Sequence, residues 1–272
     1  MAGFLLEFVM KPLALLALLF LGGCQAAIDL NQYAARSQSV ARVEKGHALW
    51  LQTLQPKPAS YARLRVYIEG DGRAWITANR ASLDPTPTSA LVLELFTAED
   101  KPSVYMARPC QFVQSPACRQ ALWTDARYSQ EVLEAMDQAL TALKERFAVR
   151  EFELVGYSGG AALALLLAAT REDVVQVQTL AGNVAPHAWT HIKGLSPLTQ
   201  SLDPSDTPER LRTLAQRHWL GREDRVVPEA VFQAYSVKVK PVCAELMLVN
   251  ADHWQGYLQP WLAGKDRAIQ CP

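Results

Sequence analysis

Gly156-Tyr157-Ser158-Gly159-Gly160 sets a serine between glycines where the apolar run Phe152 to Val155 gives way to an alanine-leucine stretch. The pattern G-x-S-x-G between a strand and a helix holds a hydroxyl on a sharp turn, exposed for attack on an acyl carbon. The helix that follows aims its first N–H groups and its positive dipole end at any anion forming beside the serine Oγ. The competing reading is a glycine-rich turn in which Ser158 only caps a buried helix. A serine hydroxyl is a weak nucleophile near neutral pH, so it needs a base, and the base needs an acid to orient it. His253, in Asp252-His253-Trp254 just after the last apolar run, is the candidate base. The other histidines sit less suitably: His47 in the lead-in, His187 and His191 in a loop-rich segment, His218 inside a short strand. Asp224, in Gly221-Arg222-Glu223-Asp224-Arg225, is the candidate acid, with Glu223 and Asp252 as rivals.

Acyl transfer places negative charge on the former carbonyl oxygen, which calls for two preorganised N–H donors. Gly159, the residue after the serine, supplies one. The other is expected from Glu69-Gly70-Asp71-Gly72, a glycine loop following an early strand, with Asp71 as the first choice and Gly70 as the second. The alternative is an ordinary glycine turn.

These residues need a scaffold. Leu64 to Ile68 alternates and is β-branched, and it runs into the glycine loop; Ala90 to Phe96 reads as a further apolar strand. Ser129 is the expected N-cap of a helix whose apolar residues Val132, Leu133, Met136, Ala139, Leu140, Leu143 and Phe147 recur on one face. A strand over Phe152 to Val155, a buried helix to Thr170, a strand over Val174 to Leu180, a loop-rich segment to about Pro208, and strands over His218 to Leu220 and Glu245 to Val249 follow. Strands alternating with helices predict an α/β fold, a mostly parallel sheet with helices on both faces. In such a sheet sites collect at the carboxyl ends of strands, and Glu69 to Gly72, Ser158, Asp224 and His253 all follow strand candidates. Residues 182–208, with Trp189, Leu195, Leu198 and two histidines, read either as a lid or acyl-chain wall or as a plain connection.

The chain has 272 residues, half of them apolar, enough for one large core. Its 27 Lys and Arg balance 27 Asp and Glu with no long run of one sign, which argues against nucleic acid as a partner. Residues 1–23 read as a signal peptide: Lys11, then an apolar core from Leu13 to Leu21 that is short for a membrane span. The stretch from Met10 alone has the form of a complete signal, so Met1 reads as an upstream start. Leu21-Gly22-Gly23-Cys24 resembles the lipobox of bacterial lipoproteins, which implies lipidation at Cys24 and attachment to a membrane through the lipid. Gln25 after the cysteine, by the same resemblance, implies the outer membrane, facing the periplasm. Residues 24–60 read as a tether and lead-in, with a helix-like stretch over Val40 to Leu54, and 61–272 as the folded domain. Cys110, Cys118, Cys243 and Cys271 then remain in an oxidising compartment. Of the three pairings, Cys110 with Cys118 across a short polar loop and Cys243 with Cys271 are favoured, against free or partly paired thiols. No Cys-x-x-Cys or clustered Cys/His spacing points to zinc.

The elbow at Ser158, the acid loop at Asp224, the C-terminal His253 and the early glycine loop, in the chain order Ser, Asp, His, together resemble the α/β-hydrolase superfamily over about residues 60–260. Arg108-Pro109-Cys110-Gln111, Trp123-Thr124, Ala181-Gly182-Asn183 and Ile68 to Gly72 resemble a bacterial lipoprotein branch of it. The resemblance implies the α/β-hydrolase fold, a serine hydrolase acting on an ester or related acyl bond of a small-molecule or lipid-like substrate, and no metal or organic cofactor. Peptidase and acyltransferase chemistry, or a non-catalytic lipoprotein that keeps the scaffold as a binding module, are the alternatives. Glu69 departs from the pattern, since many relatives carry histidine before the oxyanion glycine.

Overall fold

A computed structural model describes residues 27–271. The signal segment 1–23 and Cys24 lie outside the described residues. Eight strands build the main sheet. In chain order they are β1 (Val40–Lys45), β2 (Trp50–Gln55), β3 (Arg63–Ile68), then, after a small hairpin of β4 (Trp75–Thr77) and β5 (Arg80–Ala81), β6 (Ser103–Met106), β7 (Glu151–Tyr157), β8 (Val174–Leu180), β9 (Ala215–Gly221) and β10 (Ala244–Val249). Across the sheet the order is β1-β2-β6-β3-β7-β8-β9-β10. β2 runs against both of its neighbours, and every pair from β6 to β10 is parallel.

Helices α1 (Leu30–Arg36), α2 (Leu91–Thr97), α3 (Gln130–Phe147), α4 (Gly159–Thr170), α5 (Pro186–Lys193), α6 (Pro208–Leu211), α7 (Glu229–Val239) and α8 (Leu258–Gly264) complete the chain. Side chains alternate across a strand, so β3 serves two cores at once. Leu64, Val66 and Ile68 pack with α3, α4 and α7, whereas Tyr67 faces the opposite layer with Phe96 of α2 and Trp261 of α8. Helix α4 carries Gly, Ala and Leu almost throughout, and a helix apolar on all sides has to be enclosed. It lies on β7 and β8 with α3 and α6 beside it. Helix α3 is amphipathic as its sequence predicts, and the Ser129 hydroxyl accepts the Val132 N–H at 3.5 Å.

Two elements differ from the sequence reading. Ala90 to Phe96, expected as a strand, is helix α2, which crosses over between β3 and β6. A short apolar run has no decisive periodicity, and the straight-chain Leu and Glu residues favour a helix once β6 occupies the sheet position beside β3. Val40 to Leu54, expected as helix-like lead-in, is the antiparallel pair β1 and β2. The folded unit therefore begins well before residue 61, and β2 covers the edge that β6 would otherwise expose. Cys110 pairs with Cys118 and Cys243 with Cys271, with Cα atoms 5.8 and 4.6 Å apart. No helix among the described residues is long and apolar enough to cross a membrane.

Register decides where the site forms. Ile68 pairs with Gly156, Tyr157 with Leu180, and Gly221 with Val249. The loops after β3, β7, β9 and β10 consequently leave the sheet along one edge.

Candidate active site

Ser158 follows β7 with φ 50° and ψ −120°, a left-handed conformation that an L-residue holds only under strain. The turn is tight because the chain is crowded there. A Cβ at Gly156 would lie 2.5 Å from the Gly160 carbonyl oxygen, and one at Gly160 would lie 2.5 Å from the Glu69 carbonyl oxygen and 2.6 Å from that of Ile68. The Ser158 side chain makes no capping hydrogen bond to α4, so the helix-cap reading does not hold. Instead, Ser158 Oγ lies 3.0 Å from His253 Nε2, and His253 Nδ1 lies 2.8 Å from Asp224 Oδ2. The second oxygen of Asp224 accepts the Val226 and Val227 N–H groups at 2.8 and 2.9 Å. With Nδ1–H donated to Asp224, Nε2 is left as the acceptor for the serine hydroxyl.

Tyr157, the variable residue of the elbow, supports His253 in two ways. Its hydroxyl donates to the His253 carbonyl at 2.8 Å, and its ring lies 5.4 Å from the imidazole. Glu223 and Asp252 are not on the imidazole: Asp252 accepts the Trp254 and Gln255 N–H groups. His218 is fully buried, bonded to Thr179 and Gln216, and burial pushes it down to about 3, so it remains neutral.

The glycine loop after β3, the expected source of the second oxyanion donor, lies beside the elbow, since a Cβ at Gly70 would come 3.3 Å from Ser158 Cβ. Of its two expected donors, Gly70 does not fit, because its N–H is directed to Glu69 Oε1 at 2.9 Å. The N–H groups of Asp71 and Gly159 have no protein acceptor among the described residues. Asp71 is also fixed by its side chain: Arg108 donates to Oδ1, Arg127 donates to Oδ2 at 2.6 Å, and the Tyr128 hydroxyl donates at 3.2 Å. Burial would push this carboxyl up, but the Arg127 and Arg108 guanidinium groups hold it below the usual range. Gln111 completes the clamp, donating to the Gly70 carbonyl at 3.0 Å while its own oxygen accepts the Arg108 N–H. The sequence singles out Arg108 to Gln111 without a role; here they hold the loop that carries Asp71, braced by the disulfide at Cys110.

Glu69 is the residue at which the sequence departs from the pattern that it otherwise resembles. It is buried, accepts from Gly70 N–H and from the Tyr105 hydroxyl at 2.9 Å, and is pushed by burial from 4.5 up to about 7. The folded protein thus holds this proton more tightly than the unfolded chain does. The stability it contributes is fully present below pH 4.5 and is lost as the pH rises through about 7, a difference of about 3 kcal/mol. Glu69→Gln, which stays neutral, is expected to flatten this dependence and to be more stable than wild type at pH 8 but not at pH 4.5. Urea unfolding at the two pH values measures it, and an equal effect at both would contradict the assignment.

Among the described residues, Glu99, Asp100 and Asp266 form a carboxylate cluster with oxygens within 4.8 Å of one another. Lys265 Nζ bonds all three, at 2.6, 3.0 and 2.6 Å, so an ammonium already fills that place.

No family model matches the sequence, and no curated protein matches it. Solved structures do. An esterase of Pyrococcus furiosus matches with a TM-score of 0.59 at 10% identity, over 85% of this chain and 90% of its own. A membrane phospholipase A, described as a bacterial virulence factor, gives 0.55 at 12% identity over 87% and 89%. Acetyl xylan esterase 1 from a Thermoanaerobacterium species gives 0.54 at 12% identity over 88% and 92%. The parallel sheet with its one reversed strand, the helices on both faces and these neighbours establish that the chain has the α/β-hydrolase fold.

Proposed function

We propose that this protein is a serine hydrolase that cleaves a carboxylic ester through a covalent acyl-enzyme, and that it works tethered to the bacterial envelope by lipid on Cys24. The observation that carries the reading is the unbroken hydrogen-bonded line from Ser158 Oγ through His253 to Asp224 at a strained elbow. In this mechanism His253 Nε2 takes the hydroxyl proton as Ser158 Oγ attacks the acyl carbon. Asp224 stabilises the imidazolium, and the Asp71 and Gly159 N–H groups hold the developing oxyanion. His253 then returns the proton to the departing alkoxide, and water, deprotonated by the same imidazole, clears the acyl group from Ser158.

Two esterases and a phospholipase among the structural neighbours support an ester over an amide. The apolar run from Leu13 to Leu21, followed by Gly22-Gly23-Cys24, and two disulfides suited to an oxidising compartment support the envelope assignment. Hydrolysis of p-nitrophenyl acetate tests the chemistry. The folded wild-type chain is expected to turn it over in a Ser158-dependent manner, and a folded chain inert to every aryl ester would overturn the reading.

A further inference from the structure

We propose that the cleft between the β4–β5 hairpin and the chain from Trp189 to Thr199 is the acyl-chain subsite, and that the substrates are esters of medium-length or longer fatty acids. This rests on the serine hydrolase reading above. The cleft encloses about 880 Å³, within the range of small-molecule sites. Ser158 and His253 do not line it, yet both of its sides are tied to the loops that serve them. On one side Arg127 lines the cleft while holding Asp71 Oδ2 at 2.6 Å, and the Asp71 carboxylate lies against Gly159. On the other, Trp189 Nε1 donates to the Val226 carbonyl at 2.8 Å and Lys193 Nζ to that of Arg225 at 2.6 Å, both within the Asp224 loop. Arg127 is therefore shared between the cleft and the loop that carries the Asp71 N–H.

Its wall is anchored, and the surface that it exposes is more apolar than polar. Ser201 Oγ donates to the Asp125 carbonyl at 2.6 Å, Gln200 to Asp125 Oδ2 at 2.9 Å, and Leu202 N–H to the Tyr128 carbonyl at 3.0 Å, which pins the outer segment to the loop that carries Arg127. Of the four lining threonines, Thr124, Thr190 and Thr199 donate their hydroxyls to Gln120 O, His187 O and Asp125 Oδ2, at 2.8, 3.0 and 3.1 Å. Three of the lining hydroxyls that would otherwise suit a sugar are thus already engaged inside the protein. At the rim, Trp75, Ile76 and Leu195 stand 44, 38 and 47% exposed, three large apolar side chains converging on one opening. A soluble surface keeps such a patch for a purpose, and an alkyl chain lying along it removes both its own surface and theirs from water.

Buried methylenes are worth up to about fourfold each in affinity. Across p-nitrophenyl esters from acetate to decanoate, wild-type kcat/KM is expected to rise at least about tenfold by octanoate. Ile76→Asp and Leu195→Asp, at exposed positions that take no part in the hydrogen-bonded line, are each expected to cut the octanoate value about tenfold and leave acetate within about twofold. Normal acetate turnover with indifference to chain length, or equal losses on both esters, would overturn the subsite and leave the hydrolase reading standing. Loss of turnover on every ester would instead sink the hydrolase reading. Equilibrium binding gives the subsite a test free of turnover. Decanoate added to the Ser158→Ala variant is expected to change tryptophan fluorescence saturably through Trp75 and Trp189, and to do so far more weakly with Ile76→Asp added. No saturable change would contradict the subsite.

Discussion

Replacing Ser158 with alanine is expected to lower kcat/KM for p-nitrophenyl acetate by about 10⁴-fold or more, to the level that binding and the oxyanion donors sustain without a nucleophile. The loss should come without unfolding, because the hydroxyl makes no capping bond to α4 and, among the described residues, bonds only the His253 side chain. Alanine keeps the strained φ of 50°, so the variant should unfold close to the wild-type midpoint. Ser158→Gly separates the two roles of the position. It should be equally inactive yet more stable by about 1 kcal/mol, since glycine adopts that backbone conformation without a Cβ penalty. Ester kinetics beside thermal unfolding of both variants make the comparison. Substantial activity in either would mean that another group attacks the ester.

Asp224→Asn is the second large effect, and the surroundings of the carboxylate determine its sign. One oxygen accepts two backbone N–H groups, from Val226 and Val227, and an amide can satisfy both only by placing its oxygen there. The amide nitrogen then faces His253 Nδ1 and donates to it. That drives the proton to Nε2, where it occupies the lone pair that has to accept from Ser158. A loss of about 10⁴-fold in kcat is expected at neutral pH, with little change in KM because no substrate contact is removed. A variant retaining more than about a tenth of wild-type kcat would show that the His253 tautomer does not limit the reaction, and Glu223 or Asp252 would return as candidates for the acid.

Much of this was legible in the residues, for reasons that also explain what was not. The helix α3 and the strand β7 that follows it are strongly patterned, so their type follows from local sequence. The elbow motif and the chain order single out Ser158, Asp224 and His253, and the three side chains lie within hydrogen-bond reach of one another. Ala90 to Phe96 is short and apolar, and Val40 to Leu54 mixes apolar and polar residues without one clear period, so each suits either element. Their state is decided by which neighbour needs covering, a tertiary fact. The clamp on Asp71 is illegible for a related reason. Arg108 and Arg127 reach it from 37 and 56 positions away, and an isolated arginine in a sequence does not announce its carboxylate. Gly70 was a reasonable donor on spacing alone. The carboxyl of its own predecessor, Glu69, takes the N–H away, a choice visible only once Tyr105 and the burial of that carboxyl are seen.

Arg108, Arg127 and Tyr128 also give the site its electrostatic character. Two guanidinium groups share one carboxylate beside the Gly159 amide, leaving an excess of positive charge close to where an oxyanion would form. In surroundings of low dielectric such charge is screened less than at the surface, so it adds to the two N–H donors. The clamp thus both orients the Asp71 backbone and biases the field around it.

The most direct measurement is to treat the folded chain with a fluorophosphonate and locate the adduct by intact mass and peptide mapping. One phosphonyl group per molecule, on Ser158, formed far more slowly in His253→Ala, is the expected result. A folded protein that takes up no reagent, or takes it up on another residue, would contradict the claim that Ser158 is an activated nucleophile.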